Sequence, residues 1–181
     1  MINHLFPLDF YFKSRISNLD EILDVADKLT EYRSENPHWG AGCTVKTVSM
    51  DKVDWHPLLG CAIRKFSKEL NWNKVINVDC PWINFYERNG FQEIHHHENC
   101  DFGAVIFLND GKDFSRFFFK NRMCGLIPPT MDRIMDIGDE WIPEVTSGDV
   151  LFFPAYTLHG VTPHNSDVMR KTLAFNIKLP Q

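Results

Sequence analysis

Three consecutive histidines are the side chains of this sequence whose type and spacing are best suited to chemistry. His95, His96 and His97 follow a strand-like stretch at 91–94 and precede Glu98. Alternate side chains of a β-strand share a face, so His95 and His97 point one way. Imidazole binds iron, copper and zinc, and a facial set of three ligands with open positions is typical of non-haem Fe(II). The stretch therefore predicts two ligands of a metal ion.

A third ligand must come from elsewhere, and His159 is the best-placed candidate because it lies in a separate strand-like segment. The other histidines are weaker candidates, in the N-terminal region (His4, His38, His56) or in a turn (His164). A shifted register is the alternative, in which His96 and Glu98 act with His159. The three histidines could also form a solvated polar face, since clustered histidines are only a compositional indication of metal binding.

Polar side chains on two further predicted strands form a second candidate set. A guanidinium binds a carboxylate through two hydrogen bonds, so Arg170 is the candidate anchor for an acidic cosubstrate. Thr172 shares its strand face, while Asn84 and Tyr86 share a face of another strand and are candidates for the same cosubstrate. The alternative is structural: a surface arginine near Asp167, and buried polar groups that are hydrogen-bonded within the protein.

Two amphipathic helices are predicted in the first 73 residues. Asn18 can cap the first helix, which should end near Ser34. The second helix should begin near Pro57. Apolar residues repeat at helical spacing in both, at Leu19, Ile22, Leu23, Ala26 and Leu29 and then at Leu58, Leu59, Ala62, Ile63, Phe66 and Leu70.

Short strands separated by turn signals dominate the rest of the sequence. Candidate strands lie at 74–79, 82–88, 91–97, 102–109, 115–120, 149–153, 158–161 and 171–178, with a further strand at 44–50 and an edge strand or arm at 5–12. The less patterned stretch 124–140, which contains Pro128-Pro129, is predicted to be a long loop or lid.

Many short strands after two helices are typical of a β-sandwich or jelly roll. The predicted fold is mostly β: a double-stranded β-helix of the jelly-roll or cupin-like kind, with N-terminal helices packed on one sheet. A chain of 181 residues is long enough for one sizeable core. We therefore expect a single domain over 1–181, with a helical support region at 1–73 and the jelly-roll core at 74–181.

Composition excludes several classes of function. The sequence is 44% hydrophobic with a net charge of −5, and it has no block of lysine and arginine that would suit a nucleic-acid backbone. No apolar run reaches membrane-spanning length, and the first residues do not form a secretory signal. The cysteines are odd in number and scattered, which favours reduced thiols and a cytoplasmic location; they are Cys43, Cys61, Cys80, Cys100 and Cys124. The oligomeric state is not set by the sequence.

Six short elements between residues 82 and 177 carry a family resemblance. They are Trp82-Ile83-Asn84, Gln92-Glu93-Ile94-His95-His96-His97, Phe153-Pro154, His159, Arg170-Lys171-Thr172 and Phe175-Asn176. In this order they resemble the 2-oxoglutarate/Fe(II)-dependent oxygenases, and most closely the small oxygenase-like proteins common in bacteria and marine phages. The sequence departs from the usual pattern because His97 occupies the position of the metal-binding carboxylate. By this resemblance the chain could be phage-encoded and act in a host cytoplasm.

A second resemblance is to the cupins. Gly148, Pro154 and His159 nearly satisfy their second motif, although Tyr156 replaces its inner glycine. Cupins also carry two histidines at alternate positions of one strand, as His95 and His97 would be. A three-histidine dioxygenase that uses no 2-oxoglutarate is therefore the enzymatic alternative, and a non-catalytic jelly-roll binding module is the alternative outside enzymology.

The first resemblance implies an enzyme that uses Fe(II) and 2-oxoglutarate. His95, His97 and His159 would hold the iron, and Arg170 would bind the distal carboxylate of 2-oxoglutarate. Decarboxylation of 2-oxoglutarate would then be coupled to oxidation of a prime substrate, with a hydroxylase as the expected type of enzyme. The sequence does not identify that substrate, which could be a small molecule or a peptide side chain.

Overall fold

Two antiparallel β-sheets form the framework of the protein. The structure, a computed structural model, describes residues 9–35, 43–123, 125–135 and 138–180. Its strands are β1 (Phe12–Arg15), β2 (Ser34–Glu35), β3 (Lys46–Ser49), β4 (Asn77–Val78), β5 (Trp82–Tyr86), β6 (Gln92–His95), β7 (Phe102–Phe107), β8 (Phe117–Lys120), β9 (Glu140–Trp141), β10 (Asp149–Pro154), β11 (His159–Val161) and β12 (Arg170–Lys178). Its helices are α1 (Leu19–Leu29), α2 (His56–Glu69) and α3 (Pro129–Met135), with a 3₁₀ turn at Thr30–Tyr32.

The larger sheet has eight strands in the order β1-β10-β7-β12-β5-β3-β2, with β4 also paired to β12. The smaller sheet has four strands in the order β6-β11-β8-β9. The N-terminal region predicted as helical support therefore also contributes β1, β2 and β3 to the larger sheet. Apart from the consecutive pairs β2/β3 and β8/β9, paired strands are not neighbours in sequence, so crossing connections assemble most of each sheet.

Both faces of the larger sheet are covered. Alternate residues of its central strands point to opposite faces, and Ile106, Phe152 and Phe175 face α1 and α2 in one apolar cluster with Ile22 and Phe66. Phe66 of α2 stacks on Phe152 with ring centroids 4.3 Å apart. The other face, with the smaller sheet, forms a second apolar cluster that contains Val105, Phe107, Phe117, Phe119, Leu151 and Phe153. The site residues described below line this second, inter-sheet space.

The expectation of a mostly β fold with helices packed on one sheet is confirmed. Strands form at all eight positions predicted after residue 74, with bounds that differ by up to three residues. Both amphipathic helices are present. The predicted strand at 44–50 is β3; of the predicted edge strand or arm at 5–12, residues 5–8 lie outside the described residues and Phe12 begins β1.

Two local predictions were wrong. Asn18 precedes α1 but makes no side-chain capping bond; its amide instead donates to the backbone oxygen of Leu58 in α2, at 3.1 Å. The stretch 124–140 is not a continuous loop, because its described part contains α3 and β9. Pro129 begins α3, and a proline is well suited to the first turn of a helix because its missing N–H has no partner there.

Within the described residues, none of the helices combines the length and apolar character required to cross a membrane. The described cysteines, Cys43, Cys61, Cys80 and Cys100, are free thiols.

The rings of Phe153, on the adjacent strand, and His97, beyond β6, pack closely against Gly103 of β7. A Cβ there would lie 2.9 Å from Phe153 Cε2 and 3.1 Å from His97 Nδ1. Gly103→Ala should therefore lower the free energy of unfolding by about 1–3 kcal/mol through overpacking, as measured by urea denaturation. Gly60→Ala in α2 is the matched control, since its Cβ would meet only the exposed Arg64 side chain. The control should gain about 0.5–1 kcal/mol from helix propensity; equal effects of the two changes would contradict a tight contact at Gly103.

Candidate metal centre and the adjoining cavity

Three histidine side chains converge between the two sheets. One ring nitrogen from each of His95, His97 and His159 lies within 4.8 Å of the other two. The ring centroids of His95 and His159 are 4.2 Å apart, and those of His97 and His159 are 4.9 Å apart. The structure thus brings together the three residues that the sequence predicted as ligands.

Strand pairing in the smaller sheet positions this cluster. His95, the last residue of β6, lies directly opposite His159, the first residue of β11. His97 lies just beyond the end of β6, where its backbone N–H donates to the oxygen of Ala155 at 2.9 Å. Its ring packs against the larger sheet, with Gly103 leaving the space that the imidazole needs.

A carbonyl oxygen fixes the orientation of each imidazole. The Nδ1 atoms of His95 and His159 lie 2.8 and 2.9 Å from the backbone oxygens of Glu93 and Thr157. His97 Nδ1 lies 2.6 Å from the side-chain oxygen of Asn176. A carbonyl oxygen can only accept, so Nδ1 carries the proton in every ring and Nε2 presents a lone pair. This tautomer suits metal binding through Nε2.

Burial keeps these imidazoles neutral. The pKa of His97 is lowered to about 4, mainly by burial and also by the neighbouring His95, while the bond to Asn176 opposes the shift. Burial also lowers the pKa of His95 and holds that of His159 well below its ordinary value. A neutral imidazole is the form that binds a metal ion. The site is therefore ready to accept a cation at neutral pH.

Arg170 is a buried cation in the same cavity. The side chain is 4% exposed and lines the cavity together with the three histidines. Its guanidinium carbon lies 4.9 Å from the centre of the Tyr86 ring and 5.6 Å from that of Phe107. Nη1 makes one long hydrogen bond of 3.4 Å, to Ser115 Oγ, and among the described residues no carboxylate lies within ion-pair distance. Burial lowers the pKa of Arg170, but a guanidinium stays charged in proteins.

Two hydrogen-bonded sets line the wall between Arg170 and the histidines. Thr172 and Asn84 are cross-strand partners, and Asn84 Nδ2 donates to Thr172 Oγ1 at 3.3 Å. Trp82 Nε1 in turn donates to Asn84 Oδ1 at 3.1 Å. These contacts hold the polar groups of Asn84 and Thr172 in fixed orientations beside the cavity.

The second set begins at Tyr86, the cross-strand partner of Arg170. Its hydroxyl donates to Gln92 Oε1 at 2.9 Å, and Gln92 Nε2 lies 3.5 Å from His95 Nε2. Burial raises the pKa of Tyr86 to about 12, so the phenol remains a donor. A metal ion at His95 would displace the contact from Gln92, whose amide would then face the metal site.

Sequence reasoning missed several residues that shape the site. Asn176 orients His97, Gln92 connects Tyr86 to His95, and Gly103 provides room for the His97 ring. The available signal was that Asn176 stands between apolar neighbours on the strand that carries Arg170, and that Gln92 belongs to the predicted strand of His95 and His97. Their partners, however, lie on other strands, and no local pattern reports such contacts.

The remaining histidines lie apart from the cluster. His96 and Glu98 are exposed and approach each other at 4.0 Å, on the opposite side from His95 and His97. His164 is buried, with its ring nitrogens bonded to Ser115 N and Val168 O, and His56 begins α2. His4 and His38 lie outside the described residues.

This arrangement agrees with a sequence-family match. A family model described as "Putative 2OG-Fe(II) oxygenase" matches residues 80–176, more than half of the chain. The chain belongs to this family of 2-oxoglutarate/Fe(II) oxygenases. The family resemblance and the enzyme class predicted from the sequence are thus confirmed, and Fe(II) and 2-oxoglutarate are the cofactors that go with them. No curated protein sequence gives a significant match to this oxygenase.

Several solved structures share this fold. SnoN, a non-haem α-ketoglutarate-dependent epimerase of nogalamycin biosynthesis, superposes with a TM-score of 0.70 at 15% identity, over 94% of this chain and 78% of that one. A Pseudomonas putida prolyl-4-hydroxylase gives 0.66 at 14% identity, over 94% and 93% of the two chains. HygX from Streptomyces hygroscopicus gives 0.64 at 11%, over 93% and 82%. These likenesses confirm the predicted double-stranded β-helix.

In the metal-free protein, the His97 ring should remain neutral until the pH falls to about 4. In the unfolded chain, the pKa of His97 should be close to its ordinary value of 6.5. Because the unfolded state then carries more protons between those values, its free energy falls relative to the folded state as the pH is lowered. The stabilisation is thus complete above pH 6.5 and is lost on acidification towards pH 4. NMR titration of the ring carbons, folded and in urea, measures both midpoints; equal midpoints would contradict burial as the cause.

Proposed function

We propose that this oxygenase is an Fe(II)- and 2-oxoglutarate-dependent hydroxylase. In this proposal His95, His97 and His159 hold the iron, and Arg170 binds the distal carboxylate of 2-oxoglutarate. The observation that carries the proposal is a buried arginine that forms an ion pair with none of the described carboxylates and lies in the same cavity as three convergent imidazoles. A buried charge is stable only when a partner compensates it, and a dicarboxylate that also reaches the metal would compensate this one.

The donor set fits iron. Three neutral imidazoles that expose Nε2 form a ligand set compatible with Fe(II), and they leave coordination positions open on an octahedral ion. Ligand nitrogens at about 2.1 Å from one ion lie about 3 Å apart when they occupy adjacent octahedral positions. The present limit of 4.8 Å therefore requires the imidazole rings to move closer together for the three to bind one ion.

The polar groups of the cavity wall match those of 2-oxoglutarate, whose entry requires the wall side chains to move apart because the cavity volume is about 20 Å³. The guanidinium fork of Arg170 suits the distal carboxylate, and the Tyr86 ring beneath it adds a cation–π contact. Thr172, Asn84 and Tyr86 place a hydroxyl, an amide and a phenol along the path towards the histidines. In solved relatives of this fold, SnoN has been seen with Fe3+ and α-ketoglutarate, and HygX with nickel and 2-oxoglutarate.

When bound, the iron and 2-oxoglutarate would activate dioxygen, with one oxygen atom taken up as 2-oxoglutarate is oxidised to succinate and carbon dioxide and the other inserted into a C–H bond of the prime substrate. The chain's own residues have separate tasks. His95, His97 and His159 fix the metal, Arg170 fixes the far end of 2-oxoglutarate, and the surrounding phenylalanines exclude water. Phe153 and Phe117 lie against the His159 ring, with centroids 4.7 and 5.5 Å away, so that side of the metal site is dry.

The charge of the ligand set has a chemical consequence. Three neutral imidazoles leave a divalent ion with its full two positive charges, one more than the usual set of two histidines and one carboxylate. We therefore expect the site to bind anionic ligands more strongly than the usual set does. The two negative charges of 2-oxoglutarate would offset the positive charge of the metal ion at one end and that of Arg170 at the other.

Removing a ligand should abolish metal binding. His95→Ala, His97→Ala and His159→Ala should each weaken binding of Fe(II) by more than about 100-fold, the upper range for residues that only support a ligand. His96→Ala and Glu98→Ala are matched controls from the same stretch and should retain the metal. Metal content after anaerobic loading and dialysis measures the effect. Retention by His97→Ala with loss in Glu98→Ala would indicate the shifted register instead.

Arg170→Leu should lose affinity for 2-oxoglutarate while keeping the metal. An unpaired buried carboxylate costs roughly 3–5 kcal/mol, which corresponds to a weakening of about 100-fold or more. Arg170→Lys should be intermediate because an ammonium keeps the charge but not the fork. Calorimetric titration of the Mn(II)-loaded protein measures this, and Lys171→Leu, on the opposite face of the same strand, is the control.

The same titration decides between classes of function. Absence of binding to the unmodified protein at millimolar 2-oxoglutarate would leave the cupin-type dioxygenase or a non-catalytic binding module in place of this proposal. If the unmodified protein binds and Arg170→Leu binds equally well, the anchor of the distal carboxylate lies elsewhere.

A further inference from the structure

A row of cross-strand neighbours leads from the candidate metal ligands to the edge of the smaller sheet. His95 lies opposite His159, His159 opposite Phe119, and Phe119 opposite Trp141. Neighbouring strands are about 4.8 Å apart, so Trp141 is roughly 10 Å from His159 along the sheet. A ligand held beside Phe119 and Trp141 would therefore lie within a small molecule's length of the metal.

An aromatic groove runs along the outer end of this row. Its volume is about 520 Å³, and its walls include Phe10, Tyr11, Phe119 and Trp141. Tyr11 stacks on Phe119 with ring centroids 5.6 Å apart, whereas Phe10 is 45% exposed and Trp141 is 61% exposed. Two large rings thus present free surface towards the groove or its mouth. Aromatic walls and a volume of this size are typical of small-molecule sites.

Among the described residues, one buried hydroxyl beside the groove lacks a hydrogen-bond partner. Thr157 lines the groove and is 4% exposed, and its Oγ1 makes no hydrogen bond in the part of the chain that the structure describes. An unpaired buried hydroxyl is unfavourable, so a polar group of a ligand would compensate it. The backbone oxygen of the same residue accepts the proton of His159 Nδ1. The unsatisfied hydroxyl therefore marks the end of the groove nearest the metal site.

The charge at the groove favours a cation. Two carboxylates, Asp9 and Glu140, border it together with one lysine, Lys120, whose ammonium pairs with Glu140 at 3.2 Å. The described residues that border the groove therefore carry a net negative charge. An anionic ligand would be repelled there, while an ammonium group would be attracted to the carboxylates and to the exposed aromatic faces.

We propose that this groove binds the prime substrate, and that the substrate is a small aromatic amine with a polar ring substituent. The inference rests on the proposed function for the role of the metal site. The ring lies between Phe10 and Trp141, the ring substituent bonds to Thr157 Oγ1, and the ammonium lies near Asp9 and Glu140. The substituted side of the ring is then the part closest to the metal.

Tyramine is a suitable probe because it carries a phenol, an aromatic ring and an ammonium group. Its binding to the protein loaded with Mn(II) and 2-oxoglutarate should be observed by proton relaxation of the ligand, with the Zn(II) form as the diamagnetic control. Protons beside the phenol oxygen should relax faster than those of the side-chain methylenes. Phenethylamine lacks the hydroxyl, 4-hydroxyphenylacetate reverses the charge, and cyclohexylethylamine lacks the aromatic ring; each should bind more weakly.

Variants separate the three contacts. Trp141→Ala should weaken tyramine binding by about tenfold, the size of one aromatic contact. Thr157→Val should weaken tyramine but leave phenethylamine unchanged, because only tyramine has the hydroxyl. Asp9→Asn should reduce the preference for tyramine over 4-hydroxyphenylacetate. Tyr32→Ala, which removes a 72% exposed ring elsewhere, is the control and should have no effect.

Several results would overturn the inference. Intact Mn(II) and 2-oxoglutarate binding without tyramine binding at millimolar concentration would refute the groove as an aromatic-amine site while leaving the proposed function in place. Equal binding of 4-hydroxyphenylacetate would refute the charge preference. Tyramine binding that appears only after deletion of residues 1–8 would refute the inference, because it would mean that this segment occupies the groove. Tyramine binding sensitive to Trp141 without 2-oxoglutarate binding would uphold the groove and refute the proposed function.

Discussion

The orientation of three imidazoles is the constraint on which the site depends. Each Nδ1 proton is held by an oxygen, from Glu93, Thr157 or Asn176, and each Nε2 lone pair is left to face the space between the sheets. A buried imidazole with its tautomer reversed would lose a hydrogen bond and turn a proton towards the metal position. The backbone geometry before His95 and before His159 supplies two of these bonds locally. The third requires that the larger sheet come close enough for Asn176 to reach His97, so metal binding and sheet packing are coupled.

Strand β12 contributes side chains both to the apolar core and to the candidate site. On β12, alternate residues face α1 and α2 or the inter-sheet space; Leu173, Phe175 and Ile177 take the first direction, and Arg170, Thr172 and Asn176 take the second. A one-residue slip in its pairing would exchange the two sets. It would then turn Arg170 towards the apolar cluster and Phe175 towards the inter-sheet space. The apolar side of β12 therefore fixes the register, and the register places the polar side.

Sequence reasoning reached the elements whose signals are local. The two-residue period of the strand predicted at 91–97 placed His95 and His97 on one side, although β6 itself ends at His95, and the spacing of apolar residues located both long helices. It failed where a side chain's partner is distant. Asn18 has the residue type of a helix cap, but α2 offers its amide a better partner in the Leu58 carbonyl. The pairing of Asn176 with His97 spans 79 positions, and the convergence of His95 with His159 depends on β6 and β11 meeting in one sheet. Such contacts follow from topology, which resemblance supplied and periodicity did not.

The side chain opposite His97 also bears on how this centre could change through evolution. Asn176 is a carboxamide, and it accepts through one end while its other end carries two donors. A half-turn of this amide would convert an acceptor for imidazole into a donor for a carboxylate. Substitution of His97 by aspartate or glutamate would then meet a partner that can reverse its polarity without a second mutation. The charge of the ligand set can therefore change without a change in the fold. A single substitution at His97 alters the ligand, and rotation of the Asn176 amide accommodates it.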